Sequence, residues 1–407
     1  MIRPERRTRG DLLAAAAIAA VVALVIAAVW WRSSVRTTEF HPGTGTAASP
    51  TAAAAVPAAL QQRWTAPSAH TWAPIVVGGT AVTGDGRTMT GRDVQTGQER
   101  WRYARDLELC GVSYVYDLAV AVYPDRRGCG QVSGIQAATG HRGPTRTSYA
   151  DDVVVLTSDG GAVLSAGATR LELWRSDLVR MLSYGEIDAP VKPVNTKLGT
   201  GCTLMSAAGS ESAVGVLEAC NGEKDLRLTL LKPAKEEDEP DTKRVSLPGV
   251  PIDAEARVLA VVGTTTAVYL PVPRPAVVVY DDTGTKLSET PAPPTPAFGA
   301  VPAVTRAGDM ITWWTGRNVM VFDNKLAYRY TIDGDGAAAP IGPATMMAGR
   351  LLVPVGDGLA VYSATDGVRE RLIPLAHPAG TGPVLPAVAG ETVIEEREGS
   401  VAGYGPN

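Results

Sequence analysis

From Leu12 to Trp31 the chain reads LLAAAAIAAVVALVIAAVWW, 20 residues without a charge. As a helix rising about 1.5 Å per residue, this run is long enough to cross a hydrocarbon core of about 30 Å. The pattern then changes. Residues 41–59, HPGTGTAASPTAAAAVPAA, show no apolar periodicity, and their Ala, Pro, Thr and Gly content predicts a flexible linker that holds the rest of the chain off the membrane. Beyond it, short β-type runs recur in groups: a run, a polar or Gly turn, a second run, a turn, a third run closing in a TG-like turn, then a fourth. The clearest copy is APIVVGG, TAVTGDG, RTMTGRDVQTG, QERWRY, from Ala73 to Tyr103.

The turns that follow the third runs fall at Gly97, Gly140, Gly284, Asn324 and Gly367, so neighbouring copies are spaced by 43, 40 and 43 residues. A period of about 40–50 residues with four strands per unit is the signature of a β-propeller. The last copy stops after its third strand, and QQRW at Gln61–Trp64 matches the fourth-strand QERW at Gln98–Trp101. The segment after the linker therefore supplies the missing strand and removes open sheet edges. This count predicts an all-β fold of eight blades. Seven is the alternative, because the second and fourth copies are irregular. The expected organisation is a cytoplasmic tail over residues 1–11, a transmembrane helix over 12–31, a linker over 32–59 and a propeller over 60–407.

Charge sets the orientation. Arg3, Arg6, Arg7 and Arg9 precede the apolar run, and only Arg32 and Arg36 follow closely. The positive-inside rule then keeps the N-terminus in the cytoplasm and puts the propeller outside the inner membrane, with Trp30 and Trp31 in the interface belt. A cleaved signal peptide has an apolar core of only about 7–15 residues, so an uncleaved anchor is the expectation. The 407 residues include 43 Gly and 30 Pro but only 3 Phe, which fits many short strands and turns. A net charge of -4 offers no basic surface for nucleic acid.

An even count of cysteines in an exported domain points to disulfides. Cys110 and Cys202 each open a blade, while Cys129 and Cys220 each sit at the turn between second and third strands. Two antiparallel strands separate those places and bring the chain back to the same end, which predicts Cys110–Cys129 and Cys202–Cys220. Each bridge closes a loop of about 20 residues, for which chain entropy supplies about 3 kcal/mol. No CxxC or paired His accompanies these cysteines, so no metal is expected.

Candidate chemistry is sparse. The histidines at 41, 70, 141 and 377 are scattered, and no GxSxG elbow, P-loop or HExxH occurs. The run KPAKEEDEPDTKR, Lys232–Arg244, falls between the third and fourth strands of the fourth blade and reads as a solvated loop, since it lacks the Gly-centred spacing of a calcium loop. Trp64, Trp101 and Trp174 recur near strand ends as structural positions would. Trp313 and Trp314 are strand neighbours and must face opposite sides, so one of them, or Trp72 before the first blade, is a candidate ligand contact. No catalytic residue and no cofactor is assigned.

The copies ending DVQTGQERW, QAATG, DDTG and ATDG resemble the PQQ-type propeller repeat of quinoprotein dehydrogenases and outer-membrane assembly lipoproteins, over residues 60–407. That resemblance implies the eight-bladed architecture. Those dehydrogenases typically carry a vicinal disulfide and a carboxylate-bound calcium; this chain has no adjacent Cys pair, so a periplasmic PQQ-type oxidoreductase with a site in the channel remains only as the alternative. GRDVQTGQERWRYARDLELCGV, RRGCGQVSGIQAATG and TRLELWRSDLVRMLSYGEIDAPV are similar to a group of actinobacterial envelope proteins with an Arg-rich start, one span, an Ala/Pro linker and a propeller. A member of that group is described as a polar growth factor working with the transporter of trehalose monomycolate. The resemblance implies a non-catalytic accessory that binds glycolipid or a transport partner.

Overall fold

The computed structural model describes residues 8–33, 36–188, 190–294, 299 and 301–406. Arg3, Arg6 and Arg7 lie outside them. Helix α1, Arg9–Arg32, is opened by a capping box in which Thr8 accepts from the Asp11 N–H and the Asp11 carboxylate accepts from the Thr8 N–H. No residue of α1 is buried.

The rest folds into eight antiparallel sheets, one of five strands and seven of four, that follow one another along the chain as blades 1 to 8. The first strands of successive blades pack against one another and so line a central channel. The apolar core is divided in the same way: eight clusters of buried side chains each join two neighbouring blades, for example Leu118, Val120 and Val122 of blade 2 with Val154, Leu156 and Trp174 of blade 3. Because neighbours cover both faces of a blade, its middle strands are continuous apolar runs. Ala276–Tyr280, AVVVY, is buried at every position. Fourth strands such as Lys286–Pro291 alternate exposed and half-buried residues at the outer rim.

The ring is closed by β2, Leu60–Pro67, which pairs antiparallel with the last strand, Ser400–Pro406, through Gln61↔Gly405, Thr65↔Ala402 and Pro67↔Ser400. Blade 8 is thus three C-terminal strands and one N-terminal strand. Trp64 of β2 then links blade 8 to blade 1. Its ring lies over Gly403 of its own blade and under Gly97 of the next, and its Nε1 donates to Val94 O at 3.0 Å. Gly97 needs its glycine twice, for φ +70° and because a Cβ would run into that ring. Trp101 repeats the device from blade 1 to blade 2, lying against Gly91 and Gly140 and donating to Ala137 O at 2.7 Å. Tyr330 does the same from blade 6 to blade 7, where its hydroxyl donates to Ala364 O at 2.6 Å beside Gly367.

Trp174 is not a third copy. It lies on the third strand of blade 3, donates to Glu172 Oε2 at 2.7 Å, and is covered by the Arg146 guanidinium from the outer strand of blade 2, 5.2 Å from the ring centre. At this junction the aromatic sits on the receiving blade and a cation replaces it on the donating one.

The expected flexible linker is a docked strap. Strand β1, Glu39–His41, adds a fifth strand to blade 1 by pairing with its outer strand, Glu39↔Ala104 to His41↔Arg102. The chain then crosses the face formed by the turns between first and second and between third and fourth strands. Gly43 N–H donates to Thr139 O at 3.0 Å and Ala47 N–H to Ala138 O at 2.7 Å. Ala48 and Ser49 lie against Gly79, and Arg371 donates to Val56 O and Pro57 O at 2.7 and 2.9 Å. Small side chains let the backbone approach these turns, so the composition that reads as linker is what permits docking.

The acidic loop also differs from the expected solvated loop. Asp238 is buried, accepting from Val191 N–H at 2.6 Å and Asn195 Nδ2 at 3.0 Å, while Glu237 pairs with Arg180 and its backbone carbonyl accepts from Ser183 N–H at 2.6 Å. The loop clasps the outer strand of blade 3. Glu236 pairs with Lys192 and Glu239 accepts from the Thr196 N–H at 3.1 Å, so four of its carboxylates meet the protein's own donors.

Trp64 carries a ring junction, so Trp64→Ala is expected to destabilise the chain by about 3–5 kcal/mol, read as an earlier urea midpoint. Trp72→Ala, at an exposed position, is expected to move it by no more than about 0.5 kcal/mol.

Candidate functional site

The channel has two mouths. One, the strap face, carries the turns between first and second strands. Over blades 7, 8 and 1 the strap and these turns border an open, shallow depression of about 430 Å³, lined by Ser49, Pro50, Ala53, Gly79, Met347 and Ala389 among others. The lining is small and apolar apart from backbone groups and one serine, which suits shape and apolar contact rather than acid–base work. Over blades 3 and 4 the same mouth is polar but self-satisfied: Asp159 accepts from the N–H groups of Gly161 and Ala162, both at 2.9 Å, and of Glu211 at 3.0 Å.

The opposite mouth, the disulfide face, gathers the turns between second and third strands and the connectors between blades. Both disulfides lie there, Cys110–Cys129 and Cys202–Cys220, with Cα–Cα distances of 5.9 and 4.0 Å. Cys202 and Cys220 also come together with Glu218, a donor set that reduced thiolates could offer to a metal. Here both sulfurs are joined to each other, and buried Glu218 is engaged by Arg227 at 3.0 Å, Tyr184 at 3.0 Å and the Thr229 hydroxyl. The chemistry of the set is that of a buried carboxyl group held by several donors, a structural arrangement.

Two pairs join blades across this face, and sequence reasoning missed both. His377, in the connector entering blade 8, contacts Glu395 Oε2 through Nδ1 at 2.8 Å. A His–carboxylate dyad invites a catalytic reading, but Nε2 faces two backbone carbonyls, Val355 O at 2.6 Å and Gly358 O at 3.0 Å. Nε2 must donate there, so it cannot accept a proton from a nucleophile. Burial pulls the imidazole down, but the Glu395 carboxylate and the two carbonyls outweigh it and raise its pKa above the ordinary histidine value. On the other face of the same strand, Glu396 accepts from Thr71 Oγ1 at 2.6 Å, and burial pushes its pKa up to about 8. The clue was the run VIEERE: adjacent carboxylates on a second strand, which in this fold is buried on both faces.

The three tryptophan candidates separate. Trp313 is buried between blades 5 and 6 with its ring centre 5.5 Å from that of Tyr269. Trp314 is buried and donates to Pro340 O at 2.9 Å. Trp72, on the disulfide face, is 44% exposed and leaves a free aromatic surface.

By architecture the chain is an eight-bladed all-β propeller with one N-terminal apolar helix. No family model and no curated protein matches its sequence. Among solved structures it is similar to the computationally designed protein Ika8, at 13% identity over 88% of this chain and 99% of that one with a TM-score of 0.53. It is similar to Sqt1 of Saccharomyces cerevisiae, at 10% identity over 88% and 100% with a TM-score of 0.52. BamB from Moraxella catarrhalis matches at 14% identity over 85% and 99% with a TM-score of 0.49. At such identities the first two likenesses show the fold alone.

The buried titrating groups predict a pH dependence. In the folded chain Glu396 holds a proton that the unfolded chain releases above pH 4.5, so its contribution is complete below 4.5 and drains as pH rises towards about 8. His377 acts in the same direction, its contribution being present below pH 6.5 and lost as pH rises through its raised value. Stability is therefore expected to fall between pH 5 and 8.5. Glu396→Gln should flatten that slope, raising the melting temperature at pH 8.5, where the carboxylate costs on the order of 3–5 kcal/mol, and leaving it nearly unchanged at pH 5.

Proposed function

We propose that this protein is a non-catalytic propeller held by α1 at the inner membrane, N-terminus in the cytoplasm, that acts outside as a binding or scaffolding factor in cell-envelope biogenesis. The observation that carries this reading is a 24-residue apolar helix with no buried residue, joined to a ring that is fastened by two disulfides. Such a helix has its apolar surface satisfied only in lipid, and structural disulfides persist in oxidising compartments. The particular partner follows the resemblance of GRDVQTGQERWRYARDLELCGV and its companion stretches: an envelope lipid transporter, with trehalose monomycolate or a similar glycolipid, in polar growth. The open apolar depression beside the strap supports an acyl-bearing ligand, which Met347 and the alanines could line without desolvating any charge.

The test is crosslinking in intact cells with the full chain, followed by purification and identification of proteins and lipids. Enrichment of an envelope transporter or a glycolipid over a control carrying only residues 1–36 is the expected result. Recovery of the folded chain with neither would overturn the reading.

A further inference from the structure

We propose that the disulfide face of blades 1–3 is a membrane-contacting surface, so that the propeller lies down on the bilayer that anchors it instead of standing away from it. This rests on α1 spanning the membrane. The first argument is reach. Only residues 33–38 separate α1 from β1, and six residues span at most about 20 Å. β1 begins at Glu39, opposite Ala104, the last residue of blade 1's outer strand and the end that meets the disulfide face. The chain therefore enters the propeller at that face and only afterwards climbs to the other one as the strap. Docking of the strap removes the slack that a free linker over residues 32–59 would have provided.

The second argument is the surface at the point of entry. Three successive connectors between blades expose apolar and aromatic side chains: Trp72 at 44%, Leu107 at 37%, Tyr149 at 48% and Val153 at 79%. Leu107 is three residues from Ala104. The connectors are fastened into one rigid row. His70 O accepts from Val112 N–H at 2.8 Å, and His70 Nε2 lies 3.7 Å from Glu108. The Cys110–Cys129 disulfide ties the next connector to the turn holding Arg127, whose carbonyl accepts from Ala150 N–H at 2.9 Å and whose guanidinium lies 5.2 Å from the Tyr149 ring centre. The exposed Trp72 and Tyr149 beside Leu107 and Val153 match the amphipathic rings that settle at headgroup depth.

The charges exclude a different mode. The same turns and connectors carry Arg87, Arg105, Arg126 and Arg127 against Asp85, Asp106, Glu108, Asp125, Asp151 and Asp152. Carboxylates outnumber guanidinium groups, and Arg127 is already paired with Asp125 at 3.1 Å. Attraction to anionic lipid is therefore not the driving force. Apolar insertion is, and the contact should persist at high salt and on zwitterionic lipid.

The tryptophans allow a direct test in the full chain. Of the eight, Trp30 and Trp31 belong to α1, five are buried in the propeller, and Trp72 is exposed. With Trp30→Phe and Trp31→Phe in place, the protein is reconstituted in phosphatidylcholine nanodiscs with and without a lipid carrying a nitroxide near the headgroup. Quenching of a red-edge emission component that disappears in Trp72→Phe, survives 0.5 M salt and is lost in Leu107→Asp with Val153→Asp is the expected result. Equal emission with and without nitroxide, or quenching that the two aspartates leave unchanged, would overturn the proposal. Co-flotation of the chain with lipid in every variant keeps the anchor reading separate from this one.

Discussion

Everything in this molecule depends on one closure, the antiparallel pairing of β2 with the C-terminal strand and the seating of Trp64 against the turn between the third and fourth strands of blade 1. No blade has a core of its own. The buried side chains form eight clusters shared between neighbours, so each blade is satisfied only when both neighbours are present. An open array would leave one apolar face bare at each end and two unpaired sheet edges. Closing it with residues from opposite ends of the chain couples the N-terminal segment to the stability of the whole ring.

The interfaces between blades meet this demand in different ways. Where an outer-strand Trp or Tyr can lie under a turn glycine, an aromatic ring fills the gap and its polar atom reaches a backbone carbonyl, as at Trp64, Trp101 and Tyr330. Between blades 2 and 3 the arrangement is inverted into Arg146 over Trp174, with Glu172 holding both. Around the disulfide face, buried carboxylates meet specific partners: Glu218 with Arg227, Glu395 with His377, Glu396 with Thr71. These polar ties share one end of the ring with both covalent ones. The strap face is held by backbone contacts of small residues and by the rims of the turns.

The two faces differ in the same way. The disulfide face carries both disulfides and lies where the chain arrives from α1, whereas the strap face presents an open apolar depression bordered by a segment of chain held by a few hydrogen bonds.

The blade count, the shared fourth strand and the disulfide pairs were legible in the order of residues, because a propeller repeats one local unit at a fixed period and QQRW and QERW mark the same strand position. α1 was legible as an apolar run for the same reason, its hydrophobicity being local. The docking of residues 39–59 was not, since Ala, Pro and Gly carry no periodic signal and bind here through backbone atoms. Nor were Asp238, His377 and Glu396, whose surroundings come from blades distant in sequence. Sequence by itself determined the repeating unit and narrowed its number to eight or seven, because strand propensity and turn chemistry act over a few residues. Only the closed tertiary structure decided which polar groups are buried, where the strap lies and which aromatic remains exposed, because those depend on what the neighbouring blade brings to each surface.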